Sequence, residues 1–133
     1  MLKARMQKAR RLLDLHRDLQ RLEEERIAGL RRRQAELAAE EQEAINSLNN
    51  DAELQGLFVP VIVKRLTSLG DQAKRLSEEI ERRTRALRAL AARTKSAERL
   101  SRSYEQQHTR AEAQKELLDI IERITQPKDA SLP

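Results

Sequence analysis

Between Ile62 and Leu118 the sequence keeps one heptad pattern almost unbroken, with no proline inside it. The repeating positions, alternately four and three residues apart, are Ile62, Leu66, Leu69, Ala73, Leu76, Ile80, Arg83, Leu87, Leu90, Thr94, Ala97, Ser101, Tyr104, His108, Ala111, Lys115 and Leu118. A repeat of about 3.5 residues sustained over such a length is typical of a helix that packs along another helix. At about 1.5 Å per residue this helix would be roughly 85 Å long, far longer than the helices of globular domains. The pattern therefore predicts a rod-like coiled coil.

The composition fits a coiled coil better than a globular domain. Charged residues make up 37% of the 133 residues and aromatic residues only 2%, too few for an ordinary hydrophobic core. The apolar residues recur periodically instead of being scattered, which favours a coiled coil over a disordered chain. We therefore expect an all-α protein with one elongated domain over residues 1–127.

The sequence also bears on the compartment. The chain contains no cysteine, which fits a reducing environment. Charged residues interrupt every apolar run near Met1, so no signal peptide is expected. The longest apolar run, residues 57–63, is much shorter than the roughly 20 apolar residues that a membrane-spanning helix needs. The expected location is the cytoplasm.

A first long helix is expected over about residues 2–48. Its apolar positions are Met6, Ala9, Leu12, Leu15, Leu19, Leu22, Ile27, Leu30, Leu37, Ala44, Ile45 and Leu48. Along this series the heptad phase slips by one residue between Leu22 and Ile27, next to Gly29. Such a slip would let the helix run straighter than a strict left-handed supercoil.

A cluster of helix breakers separates the two long segments. Asn49 and Asn50 are typical of turns and caps, Gly56 suits the residue after a helix, and Pro60 suits a first helical turn. The sequence thus predicts a bend at about residues 49–60, a second helix over about 61–126, and a disordered tail at 128–133. Two helices joined by one bend would form an antiparallel coiled-coil hairpin.

Closing the hairpin at this bend pairs position i with roughly 110 − i. Leu37 would then face Ala73, and Leu30 would face Ile80. Residues after about Arg110 would have no intrachain partner, although they contain a broad apolar stripe. That stripe consists of Leu117, Leu118, Ile120, Ile121 and Ile124. An unpaired apolar stripe indicates either self-association, such as a homodimer, or a surface for another protein.

Charge is distributed unevenly along the predicted hairpin. Residues 34–63 contain only acidic charges, and they lie opposite basic residues of the second helix, which supports the antiparallel register. Residues 3–33 and their predicted partners at 78–105 are both basic, with net charges of +6 and +3. Because like-charged helices repel each other, this basic region indicates an acidic partner, or else simply a solvated basic face.

No sequence motif indicates a catalytic, metal-binding or nucleotide-binding site. His16 and His108 are the only histidines, and no cluster has metal-ligand spacing. His108 lies in the heptad seam, where a polar residue commonly fixes the register of a coiled coil. Nucleotide-binding and acyl-transfer motifs are missing from the sequence. We expect no enzymatic activity and no cofactor.

The bend itself contains an apolar cluster at residues 57–63, only part of which can turn inward in a two-helix structure. The cluster would either cap the hairpin by local packing or expose a docking surface. The seam from Thr94 to Lys115 is less apolar than that from Ile62 to Leu90, so it should open more readily or be completed by another protein.

Several stretches resemble the FliJ family, the coiled-coil proteins of the flagellar export apparatus, which have counterpart stalk proteins in virulence-associated type III secretion. The stretches are Lys95-Ser96-Ala97-Glu98-Arg99-Leu100, Tyr104-Glu105-Gln106-Gln107 and Ala113-Gln114-Lys115-Glu116-Leu117-Leu118-Asp119. Chain length, the basic first helix, the central bend and the aromatic-aliphatic stretch from Phe58 to Leu69 are similar too.

The resemblance implies an antiparallel hairpin similar to the central shaft of rotary ATPases. Its terminal end would bind the ring of the export ATPase, and its middle would contact the export gate, with membrane association only through these partners. The residues implied on the ATPase side are Arg10, Arg11, Arg32, Arg33, Arg99, Arg102, Leu117, Leu118, Ile121 and Ile124. Those implied on the gate side are Phe58, Ile62, Leu66 and Leu69.

Two other functions are compatible with the sequence. A pI of about 10 is compatible with a coiled coil that binds nucleic acid, although acidic residues are interspersed and stacking aromatics are scarce. A scaffolding or prefoldin-like hairpin, which would hold clients or space partners, would require stable oligomers. We expect protein partners and no nucleic acid.

Overall fold

The computed structural model describes residues 1–51 and 56–126 of the chain, both of them helical over nearly their whole length. Helix α1 spans Leu2–Asp51 and helix α2 spans Val59–Thr125. The two helices contact each other in an antiparallel hairpin, so the predicted all-α fold is confirmed. Helix α1 runs three residues past its expected end, and α2 begins two residues before its expected start. The predicted tail at 128–133 lies outside the described residues, as do residues 52–55 of the predicted bend.

The start of α2 is organised by a glycine and a proline. Gly56 has a φ of 73°, in the left-handed region that residues with a Cβ rarely adopt. The N–H of Val59 donates to the carbonyl of Gly56 at 3.3 Å, and that of Ile62 donates to Phe58 at 3.0 Å. Pro60 lies in the first turn of α2, as predicted, where its missing N–H removes no helical hydrogen bond.

The chain divides into two compact units. The terminal unit consists of Met1–Arg17 with Arg93–Pro133, and the central unit consists of Asp18–Ala92. Each unit contains a segment of both helices and is described by itself below. The prediction of a single domain over residues 1–127 stays a prediction.

The central unit contains the main apolar core of the described chain. Its buried residues are Leu37, Ala44, Leu69 and Leu76, and Leu30, Ile62, Leu66, Ala73 and Ile80 pack against them. The two residue pairs predicted from the bend arithmetic lie in this cluster. All heptad positions of α2 from Ile62 to Leu90 are buried or half-buried, which confirms the predicted seam in this unit.

A charged layer interrupts the seam of the central unit. Arg83 Nη1 donates to Glu23 Oε1 on the other helix at 3.1 Å, and Arg83 Nε donates to Glu79 Oε1 at 3.2 Å. The Glu23 side chain is only 17% exposed. The hydrogen bonds to Glu23 and then Glu79 raise the pKa of Arg83. Arg83 therefore pairs across the seam, whereas its heptad position alone indicated only an interruption.

The terminal unit has a seam of small and polar residues. Ala9, Leu13, Thr94, Ala97 and Ser101 are buried there. Around them Leu2, Met6, His16, Tyr104 and His108 are half-buried. This confirms the heptad of α2 as far as His108 and shows how little apolar surface this unit encloses.

The predicted phase slip in α1 is wrong. Leu13 is only 7% exposed, whereas its neighbour Leu12 is 43% exposed and Leu15 is 54% exposed. The inward positions of the terminal unit continue without a break from Met6 and Ala9 to Leu13 and His16. The central unit continues this series at the same spacing, and its inward positions there are Gln20, Glu23, Ile27 and Leu30. The leucine series that includes Leu19 and Leu22 is displaced by one residue, about 100° around the helix, and faces outward.

The burial of Leu13 in the seam, where the sequence predicted Leu12, gives a first prediction. Leu13→Ala removes a buried side chain and should lower the free energy of unfolding by about 2–4 kcal/mol. The matched variant Leu12→Ala should change it by less than about 0.5 kcal/mol, because that side chain is half in solvent. Urea unfolding in dilute solution, followed by far-UV circular dichroism, measures both. If Leu12→Ala destabilised the chain more than Leu13→Ala, the slipped register would be correct after all.

The charged layer gives a second prediction. Replacing only Arg83 or only Glu23 by Leu should lower the midpoint of urea unfolding, because the remaining charge loses its partner across the seam. The double variant Arg83→Leu/Glu23→Leu should unfold close to wild type, since an apolar pair replaces the ion pair. A double variant as unstable as the sum of the single variants would show that the two side chains act independently.

Candidate partner-binding surfaces

In the terminal unit, one flank of the seam is closed by ion pairs. Arg10 Nη2 lies 2.8 Å from Glu105 Oε1, and Arg17 Nη2 lies 3.5 Å from Glu98 Oε1. The hydrogen bond to Glu105 raises the pKa of Arg10. Each paired residue follows an inward residue of its own helix: Arg10 follows Ala9, and Glu105 follows Tyr104. We call this side the ion-paired flank.

The opposite flank carries leucines instead. In an antiparallel pair, residues that precede an inward position lie together on the side away from the ion-paired flank. In this unit they include Leu12, Leu15 and Leu100, which are 43%, 54% and 44% exposed. Arg5, Lys8 and Arg93 are the charged residues at such positions, and none of these positions is acidic. We call this side the leucine flank.

Sequence reasoning missed the leucine flank because it assigned Leu12 and Leu15 to the seam. The available signal was a second complete heptad series, Met6, Ala9, Leu13, His16, Gln20, Glu23 and Ile27, which needs no slip. A helix with two adjacent series has a wider apolar face than one partner helix can cover.

The paired part of the terminal unit is strongly basic. Residues 1–17 and 93–110, which we call the stem, contain eleven Lys and Arg against three Asp and Glu. The central unit is almost neutral, with thirteen basic and fourteen acidic residues. Of the predicted basic site residues, Arg11, Arg99 and Arg102 are exposed and form no ion pair within the described part of the chain. The surplus charge of the chain therefore belongs to the stem.

The remaining predicted arginines differ in setting. Arg32 and Arg33 belong to the central unit, not to the stem. Arg33 Nη1 is 3.1 Å from Glu36 Oε2 and 3.4 Å from Glu40 Oε1. The hydrogen bond to Glu36 raises the pKa of Arg33. Arg33 is thus already paired with acidic residues of its own helix, and Arg32 is exposed.

Beyond the stem, α2 continues as a helix to Thr125, and residues 111–126 are all exposed. We call this segment the overhang. Its large apolar residues are between 44% and 76% exposed, and they comprise Leu117, Leu118, Ile120, Ile121 and Ile124. Glu112 at its start lies 3.8 Å from His108 Nε2. The four overhang residues predicted as partner-binding are therefore accessible.

At the start of α2 only one of the four predicted gate-side residues is accessible. Phe58 is exposed, but Ile62 and Leu66 pack against the core and Leu69 is only 5% exposed. These three side chains form the seam, so a partner could reach them only if the helices separated. The exposed apolar side chains near Phe58 are Leu57, Val61 and Val63.

Comparison of this chain with protein-family models, curated protein sequences and solved structures found no match. Within residues 1–51 and 56–126, neither helix contains an apolar stretch long enough to cross a membrane.

The charge of the stem gives a third prediction. Raising NaCl from about 0.01 M to about 0.1 M shortens the Debye length from about 30 Å to about 10 Å and screens the repulsion between the two basic segments. Amide hydrogen exchange in residues 2–17, measured at a dilution where the chain is monomeric, should therefore slow as salt rises. The nearly neutral central unit is the internal control and should change much less. Equal slowing in both units would show that salt acts on helices in general.

Proposed function

We propose that this chain is a non-enzymatic coiled-coil stalk that binds the ATPase ring of a flagellar or type III protein export apparatus and couples it to the export gate. The observation that carries the proposal is the terminal unit, in which a strongly basic stem continues into an exposed apolar helix. The resemblance to the FliJ family supplies the identity of the partners. Cytoplasmic location and attachment to the inner membrane through these partners belong to the same proposal.

The stem supports binding to an acidic cavity. Its surplus of positive charge would steer it toward acidic surfaces and speed association at low ionic strength. Arg11, Arg99 and Arg102 are the exposed charges best placed for this, because no described acidic residue pairs with them. Arg10 and Arg17, by contrast, already contact glutamates of the other helix.

The start of α2 would contact the export gate through its exposed residues. Leu57, Phe58, Val61 and Val63 present apolar side chains there. Ile62, Leu66 and Leu69 would hold this segment in place through their packing in the seam. In this proposal the exposed residues contact the gate and the seam residues support them, whereas the sequence analysis had placed Phe58 and the seam residues in one contact surface.

The test is stimulation of the export ATPase from the same genome by the purified chain. Arg11→Glu, Arg99→Glu and Arg102→Glu together should reduce the stimulation at least tenfold, because three repulsive charges replace three attractive ones. The matched control reverses Arg31, Arg85 and Arg88, which are exposed in the central unit. That variant should stimulate the ATPase like the wild type.

Two results would contradict the proposal. One is a wild-type chain that neither binds nor stimulates the ATPase. The other is an equal loss of ATPase stimulation in the stem variant and in the central control, which would show that stimulation depends only on the net charge of the chain. Circular dichroism of both variants establishes that the helices are retained.

A further inference from the structure

The leucine flank and the overhang have complementary composition. The flank combines three exposed leucines with Arg5, Lys8 and Arg93, and all three acidic residues of the stem lie on the other, ion-paired flank. The overhang combines five exposed apolar residues with a net charge of −2. An apolar helix with acidic edges fits an apolar groove with basic edges.

The acidic residues of the overhang lie where such packing would use them. Ala113, Leu117, Ile120 and Ile124 follow the four–three–four spacing of a coiled-coil seam. The residues immediately before the first three are Glu112, Glu116 and Asp119. This edge of the overhang is therefore wholly acidic over two turns, while the leucine flank has no acidic residue.

The overhang cannot reach the leucine flank of its own chain. The ion pairs Arg10–Glu105 and Arg17–Glu98 place residue i opposite about 115 − i, so the continuous helix α2 runs past Leu2 within the overhang. Its helical part, residues 111–125, is roughly 22 Å long at the helical rise, enough to cover the stretch from Arg5 to Leu15 in another molecule.

From these observations we propose that the overhang of one chain docks on the leucine flank of a second copy. Exchange in both directions gives a two-fold symmetric dimer with two equal contacts. In each contact Leu117, Ile120 and Ile124 pack against Leu12, Leu15 and Leu100, and the acidic edge of the overhang faces Arg5, Lys8 and Arg93. The stem then becomes a three-helix bundle, which explains why α1 needs two adjacent apolar series.

The inference is independent of the proposed function. Binding to an ATPase could fail while the dimer forms, and a monomeric stalk could still bind an ATPase. Where both hold, the dimer covers the overhang until a partner replaces the second copy.

Two matched variants test the dimer. The first changes the overhang by Leu117→Gln, Ile120→Gln and Ile124→Gln. The second changes the flank by Leu12→Gln, Leu15→Gln and Leu100→Gln. All six side chains are exposed and glutamine is a good helix former, so the helices should be retained.

Sedimentation velocity at low salt on the full chains should give a concentration-dependent dimer for the wild type. Each variant alone should be monomeric, because the first lacks the docking helix and the second lacks the groove. An equimolar mixture should form a heterodimer, but only at higher concentration than the wild-type dimer, because one of the two contacts is intact: the overhang of the second variant on the flank of the first. Added salt should weaken both dimers.

Other results would overturn the proposal. A wild-type chain that stays monomeric up to its solubility limit leaves the two surfaces for a different protein. A dimer that survives the flank substitutions is held by pairing between overhangs, and one that survives the overhang substitutions is held by pairing between flanks. Two variants that remain monomeric when mixed up to their solubility limit also exclude the exchange.

Discussion

The structure depends on one constraint: two helices that pack along a single seam can bury only one stripe of each. Every residue outside that stripe stays at the surface, whatever its hydrophobicity. The central unit meets the constraint with a leucine- and isoleucine-rich seam. The terminal unit buries mostly small residues and leaves Leu12, Leu15 and Leu100 at its surface. Its exposed leucines, surplus charge and exposed overhang are the features from which we propose the docking of a third helix.

The seam of α2 could be predicted to the residue from Ile62 to His108 because its positions form one series with no competitor. Helix α1 offers two series, and hydrophobicity alone selects the wrong one, since Leu15 and Leu19 look more suited to burial than His16 and Gln20. The inward series is decided by continuity with Ala9 and Ile27 and by the pairing of Glu23 with Arg83 on the other helix. That pairing cannot be seen in either helix alone.

The exposure of the candidate site residues was predicted best where it depends on register and worst where it depends on which side of a helix a residue lies. The exposure of the overhang follows from counting residues on either side of the bend. Leu69 was expected on a docking surface but is only 5% exposed, because it forms part of the seam. Within the basic region, sequence could not separate Arg10, which contacts Glu105, from Arg11, which remains exposed.

The small residues in the seam of the terminal unit have a consequence for binding energetics. Alanine, serine and threonine bury little apolar area, so we expect this unit to open locally at lower free energy than the leucine-rich central unit. A partner that binds only the closed form must then supply the free energy of closing, and its apparent affinity falls in proportion to the closed fraction. The small buried residues, among them Ala9 and Ser101, would thereby set how tightly any third helix is held.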